Sequence, residues 1–133
     1  MSPRSIRPRW SAGIIERHDN HVLIVLPNDE PQAGRLWCFP RGPAEPNESP
    51  EATMRRVART QLKLDVDVVV GQPPLVVRIE GREAELRYFF CGVTSGDADP
   101  GPYAETRWVS RGHLREYEFD AVSQPVVEWL LGT

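Results

Sequence analysis

LWCFPRGPAEPNESPEATMRRVARTQLKL, residues 36–64, passes from a compact apolar run through a polar loop into a helix, and its reading decides the fold. Leu36, Trp37, Cys38 and Phe39 form a short apolar strand that Pro40 stops. Arg41 to Ser49 is too rich in Pro, Gly and Asn for regular structure. Ser49, Pro50 and Glu51 then supply an N-cap, a proline for the first turn and a first-turn acid, which predict a helix from Pro50 to about Leu62 or Lys63. Met54, Val57, Ala58 and Leu62 recur at helical spacing and mark one buried stripe.

On the N-terminal side, Ser11–Glu16 and His21–Leu26 are short apolar runs separated by Arg17, His18, Asp19 and Asn20, the pattern of a hairpin that Pro27 ends. Asn28 to Gly34 reads as a loop. Residues 1–9 read as a flexible arm around Pro3 and Pro8, leaving residues 10–133 as the domain. On the C-terminal side, Val66–Val70 and Leu75–Ile79 read as strands with a break from Gly71 to Pro74. Glu80, Gly81 and Arg82 turn the chain into a return strand, Ala84–Val93, through Leu86, Tyr88 and Phe90. A loop from Thr94 to Pro102, a short strand at Arg107–Val109 and a helix over Val122–Leu131, interrupted early by Pro125, complete the chain. Strands, a central helix, more strands and a closing helix predict a mixed α/β domain of two or three layers.

The 133 residues suit one domain, and 19 acids against 16 bases argue against a protein held on extended nucleic acid by phosphate contacts. Fifteen of the sixteen bases are Arg, a bias that genome composition explains at least as well as a need for bidentate anion recognition. Cys38 and Cys91 sit beside aromatic residues and read as buried thiols in a reducing interior. MSPRSIRPRW has no apolar core of a secretion signal, and no run approaches 18 apolar residues, so a cytoplasmic protein with no membrane contact is expected.

Leu36 to Leu64 resembles the Nudix box, which reads Gly, five residues, Glu, seven residues, then Arg-Glu-apolar-x-Glu-Glu-x-Gly-apolar. Gly42, Glu48, Arg56, Ala58 and Leu64 fall in register, and Glu45, Ser49, Pro50 and Glu51 match common choices. "RYFF" (Arg87–Phe90) and "AETRWVS" (Ala104–Ser110) are similar to further family segments. Together with "FD" (Phe119, Asp120), "RWVS" hints at the branch containing diadenosine polyphosphate hydrolases. The resemblance implies a Nudix-like α/β/α sandwich with a mixed β-sheet over about residues 10–131. It also implies pyrophosphohydrolase chemistry with magnesium or manganese.

The departures concern that chemistry. Where the family carries glutamates this sequence has Val57, Thr60 and Gln61, and Lys63 stands in place of a glycine. The family's carboxylates share a helix face and hold the divalent ion that neutralises diphosphate charge and activates water. Val57 offers no ligand, and Thr60 and Gln61 offer only neutral oxygens. No carboxylate occurs from Ala52 to Leu64, while Arg55, Arg56, Arg59 and Lys63 are all basic. Arg55, Arg59 and Lys63 form a stripe that is either a solvated face or an anion-facing surface.

Gly42, Glu48 and Arg56 are therefore the retained structural motif, Glu48 pairing with Arg56 in the resemblance to tie loop to helix. Arg41, Arg56 and Arg59 are the candidate ligand contacts, Arg41 for phosphate beside Gly42. No residue is assigned as a metal ligand and no cofactor is expected. Glu48 and Glu105 are the candidate catalytic carboxylates. His18, His21 and His113 lack metal-ligand spacing and read as surface residues. Trp37, Tyr88, Phe90 and Trp108 read as core, with room for one aromatic at the sheet edge to stack on a base.

Three readings follow. The first is a degenerate Nudix-fold module that binds a nucleotide or other phosphorylated small molecule and hydrolyses little. The second is an atypical hydrolase of nucleoside diphosphate derivatives or dinucleoside polyphosphates, recruiting magnesium or manganese through Glu45, Glu48, Glu51 and Glu105. The third is a protein-interaction module. A homodimer is compatible with the scaffold.

Overall fold

Strand β6 (Arg82–Ser95) is the spine on which the sheet is built, because its fourteen residues are long enough to serve three partners. The computed structural model describes residues 7–28 and 36–132. On one side β6 pairs in parallel with β1 (Arg9–Glu16), from Arg9 opposite Glu85 to Glu16 opposite Gly92. On its other side it pairs antiparallel with β4 (Asp65–Gly71) and then β5 (Leu75–Ile79). β2 (His21–Pro27) and β7 (Tyr103–Ser110) extend the mixed sheet in the order β4-β6-β1-β2-β7, and β3 (Arg41–Pro43) pairs with β1.

Successive residues of a strand face opposite sides, so the sheet has two apolar faces. Ile15, Leu23, Val25, Phe89 and Cys91 pack under helix α1 (Pro50–Leu62), whose contribution is Met54, Val57, Ala58 and Leu62. Ala12, Ile14, Ile24, Leu86 and Tyr88 pack under helix α2 (Gln124–Leu131), through Val126, Val127 and Leu130, and under a 3-10 turn at Arg111–Glu116. The result is the expected α/β/α sandwich with a mixed sheet.

Helix α1 begins as the sequence predicts: the Ser49 hydroxyl accepts from the Ala52 N–H, Pro50 opens the first turn and Lys63 closes the helix. Several expectations need correction. Arg41–Pro43, read as loop, is a strand opposite Trp10, Ser11 and Ala12. Leu36–Phe39 is no strand; Trp37 and Cys38 make single bridges to Phe119 and Val25. The β1–β2 hairpin closes at Glu16 and Val22 only, because residues 38–43 wedge between its arms, Cys38 bonding Val25 and Pro40 accepting from the Gly13 N–H. Pro27 belongs to β2, Gly71 belongs to β4, and the last strand runs over all of Tyr103–Ser110. Pro125 lies in the first turn of α2, where its missing N–H costs nothing.

Trp37 and Tyr88 are buried, whereas Phe90 and Trp108 are only half-buried. Residues 1–6 of the predicted arm and most of the predicted loop Asn28–Gly34 lie outside the described residues. Arg7 and Pro8 are tied to β6 through Glu83 and the Glu85 N–H.

Candidate functional site

The loop between β3 and α1 contains four polar side chains and one proline, too little apolar surface to pack by itself, and one carboxylate organises it. Glu48 Oε2 accepts from Arg56 Nε at 2.8 Å, and Oε1 from Arg56 Nη2 at 2.9 Å. Oε1 also takes the Thr53 hydroxyl at 2.7 Å and the Glu45 N–H at 2.9 Å. Arg56 Nη2 reaches on to the Pro43 carbonyl at 2.7 Å, so one guanidinium joins the end of β3, the loop and the helix. The Arg56 hydrogen bonds, with the Glu45 N–H and Thr53 hydroxyl, pull the Glu48 carboxyl down to about 2, against the opposing effect of burial. A carboxylate with its lone pairs used in this way is a structural anchor.

Beside the anchor lies the helix face where the resemblance places metal ligands. Val57 is fully buried, its Cγ2 only 2.7 Å from where a Cβ on Gly42 would stand. The Thr60 hydroxyl donates to the Arg56 carbonyl at 2.8 Å, and the Gln61 side-chain carbonyl accepts from the Tyr103 hydroxyl. Burial raises the Tyr103 phenol above its ordinary range, keeping it protonated as a donor. Among the described residues no group of three or more His, Cys, Asp or Glu side chains gathers. The face offers a hard divalent cation no anionic cluster, and its neutral oxygens already have partners. Lys63 sits at φ 57°, the left-handed position for which a glycine is the unstrained choice.

The three candidate arginines are not brought together. Arg56 is held in the anchor. Arg59 donates from Nε and Nη2 to Asp65 Oδ1 at 2.9 and 2.6 Å and is largely exposed, so the stripe with Arg55 and Lys63 faces solvent. Arg41 turns to the opposite side of the sheet, where Nη2 lies 2.9 Å from Asp120 Oδ2. Asp120 Oδ1 accepts the Ser123 N–H at 2.9 Å, which fixes the carboxylate at the entry to α2. Among the described residues Arg41 Nη1 is buried without a hydrogen-bond partner, and the Ser123 hydroxyl is buried beside the Tyr88 phenol.

Tyr88 borders this polar group, its hydroxyl donating to the Val122 carbonyl at 3.3 Å. Burial raises the phenol, with Arg41 and Asp120 exerting opposite electrostatic effects. Tyr88 also forms one wall of an apolar cleft of about 280 Å³ between sheet and α2, lined further by Ile14, Leu75, Pro125, Val126 and Trp129. A mostly apolar cleft bordered by a few convergent polar groups has the character of a small-molecule site.

Glu105 accepts from Arg107 Nε at 2.5 Å, and the Arg107 guanidinium lies over the Trp37 and Tyr117 rings. No hydrogen bond or ion pair joins Glu105 to Glu48. His21 and His113 contact Asp19 and Ser110 at the surface. Cys38 and Cys91 form no disulfide, and burial pushes the Cys91 thiol up to about 12.

Sequence reading missed Asp120, Ser123, Thr53 and Tyr103. Asp120 had a signal, an acid three residues ahead of a serine at a helix entry, where a side-chain oxygen commonly receives a backbone N–H.

The NUDIX domain model matches residues 7–130. MutT, from work on the Aliivibrio salmonicida and Vibrio cholerae proteins, is 26% identical, with 96% of this chain and 98% of that chain covered at a TM-score of 0.71. MutT from Methanosarcina mazei Go1 superposes at a TM-score of 0.80 with 15% identity, covering 97% and 96%. A C. elegans Ap4A hydrolase binary complex does so at 0.74 with 13% identity, covering 92% of each chain. The last two likenesses speak for the fold alone. No curated protein matches the chain in sequence. Because the domain match spans nearly the whole chain, and the loop and helix of the box stand where its sequence places them, the chain belongs to the Nudix family.

Proposed function

We propose that this chain is a Nudix-fold domain that binds a nucleotide or another phosphorylated small molecule and hydrolyses it little or not at all. The observation that carries the reading is the occupied α1 face: Val57 packed on Gly42, Thr60 on its own helix and Gln61 on Tyr103. Diphosphate cleavage needs a metal-bound water and charge neutralisation at the bridging oxygens, and this face has no carboxylate to hold the ion that supplies them. Ligand binding has separate support. The cleft beside Tyr88 suits a planar ring, and behind its Tyr88 wall lies the largely buried Arg41–Asp120 pair, whose guanidinium is the cation for a phosphate contact.

The test is a panel of nucleoside diphosphate derivatives and dinucleoside polyphosphates, incubated with magnesium or manganese and followed for phosphate release and by calorimetry. Binding without turnover above the metal-only background is expected, with affinity reduced roughly tenfold or more in Arg41→Met. Metal-dependent turnover that Glu48→Gln abolishes and Arg56→Met preserves would overturn the reading in favour of a hydrolase that recruits metal through the loop acids. An absence of heat with every ligand would leave a protein-interaction role.

A further inference from the structure

Six large apolar side chains are exposed among the described residues, and five of them gather at one end of the sheet: Val69, Val70, Leu75, Val76 and Trp129, between 46% and 71% exposed. This concentration is not the scatter expected of a solvated surface. Val69 and Val70 belong to β4, Leu75 and Val76 to β5, and among the described residues both strands pair only with β6, leaving their outer edge without a strand partner there. Val70 stands opposite Phe90, whose ring centroid lies 5.5 Å from that of Trp129. Leu75 and Trp129 share the α2-side cleft, so Val70, Leu75 and Trp129 lie on one face.

We propose that this edge is the interface of a two-fold symmetric homodimer. A two-fold contact requires a surface complementary to itself, in which residue i meets j and j meets i. The edge VVGQPPLV, residues 69–76, has that symmetry: its exposed apolar pairs stand equally far on either side of the Gln72–Pro73 bond. Antiparallel apposition of two copies about that point sets Val70 of one against Leu75 of the other and Val69 near Val76.

The charges agree. The same apposition lays the Asp67 end of each edge beside the Arg78 end of its partner. Among the described residues of one chain the Asp67 side chain has no ion-pair or hydrogen-bond partner, and the Arg78 side chain bonds only the Gly81 carbonyl. Pro73 and Pro74 have no N–H to donate, so the centre contributes packing and the ladder is confined to the two arms. Pairing edge with edge also closes the assembly at two copies and hides an otherwise open strand. Leu75 and Trp129 also line the cleft beside Tyr88, whereas Asp67, Val69, Val76 and Arg78 do not, so variants at these four positions, measured without ligand, test the interface apart from the ligand reading.

Sedimentation equilibrium of the full chain tests this. A dimer is expected for the wild type, with association weakened roughly tenfold or more by Val69→Glu or Val76→Glu, exposed positions at which circular dichroism checks that the fold is kept. Asp67→Arg and Arg78→Asp are each expected to weaken the dimer severalfold, and the double reversal to recover it to within about twofold. A wild type that stays monomeric up to about 1 mM, a dimer unmoved by both glutamates, or a double reversal weaker than either single one overturns the proposal.

Discussion

Glu48 shows how much of this family's box is architecture. Its carboxylate takes four hydrogen bonds from three residues, and the guanidinium that supplies two of them also holds the end of β3. Arg56→Met removes that guanidinium and leaves a half-buried carboxylate with only neutral donors, so urea denaturation should show a loss of roughly 1–3 kcal/mol. The pH dependence follows from the direction of the shift. A carboxyl held at about 2 in the folded chain, against an ordinary 4.5, favours folding fully above the higher value. That favour is lost as pH falls from about 4.5 to about 2. Because exposed acids such as Asp19 and Asp65 are also lowered, by hydrogen bonds from Arg17 and Arg59, the informative quantity is wild-type stability minus Arg56→Met stability. That difference should shrink across the window. A constant difference from pH 6 to pH 2.5 would show that Glu48 is not the group being stabilised.

At the scale of elements, α1 was legible and β3 was not, for one physical reason. The helix signals itself locally, through Ser49, Pro50 and a stripe of Met54, Val57, Ala58 and Leu62, and each of these acts within a few residues. β3 is made by its partner: Arg41, Gly42 and Pro43 read as loop until β1 lies alongside to take their hydrogen bonds. Leu36–Phe39 shows the converse, an apolar run whose burial under distant residues does not require a ladder. In the same way, the resemblance implied that Glu48 and Arg56 would meet, while nothing local could reveal that Arg41 would find Asp120 across the sheet. Packing of α1 on β3 gives a test at this scale. Gly42→Ala puts a methyl 2.7 Å from Val57 Cγ2 and should destabilise by about 1–3 kcal/mol. Combining it with Val57→Ala should cost less than the sum of the single changes, because the second opens the space the first needs. Strict additivity in a thermal denaturation cycle would mean that the two elements do not meet there.

Across the whole molecule, the excess of three negative charges conceals a local reversal, with the box helix basic beyond its first turn and the carboxylates of Glu45, Glu48 and Glu51 confined to that turn and the loop before it. The fold tolerates this because α1 is held by its apolar stripe of Met54, Val57, Ala58 and Leu62, to which Val57, at a position where the resemblance places a glutamate, adds buried surface. The parallel pairing of β1 with β6 also has a bearing on the order of events in folding. β4, β5 and β6 are consecutive in the chain and can zip from the Glu80–Gly81 turn, whereas β1 must wait for most of the polypeptide to close a loop before Arg9 reaches Glu85. β3 takes its bonds from β1 and so inherits that delay. Refolding kinetics should then give low φ-values for Ile14→Val and high ones for substitutions in the β5–β6 hairpin, and the reverse pattern would refute this order. On such a route the rim of β3 that carries Arg41 and Gly42 is finished last, and a ligand bound at Arg41 would act mainly by slowing the chain's escape from the native state.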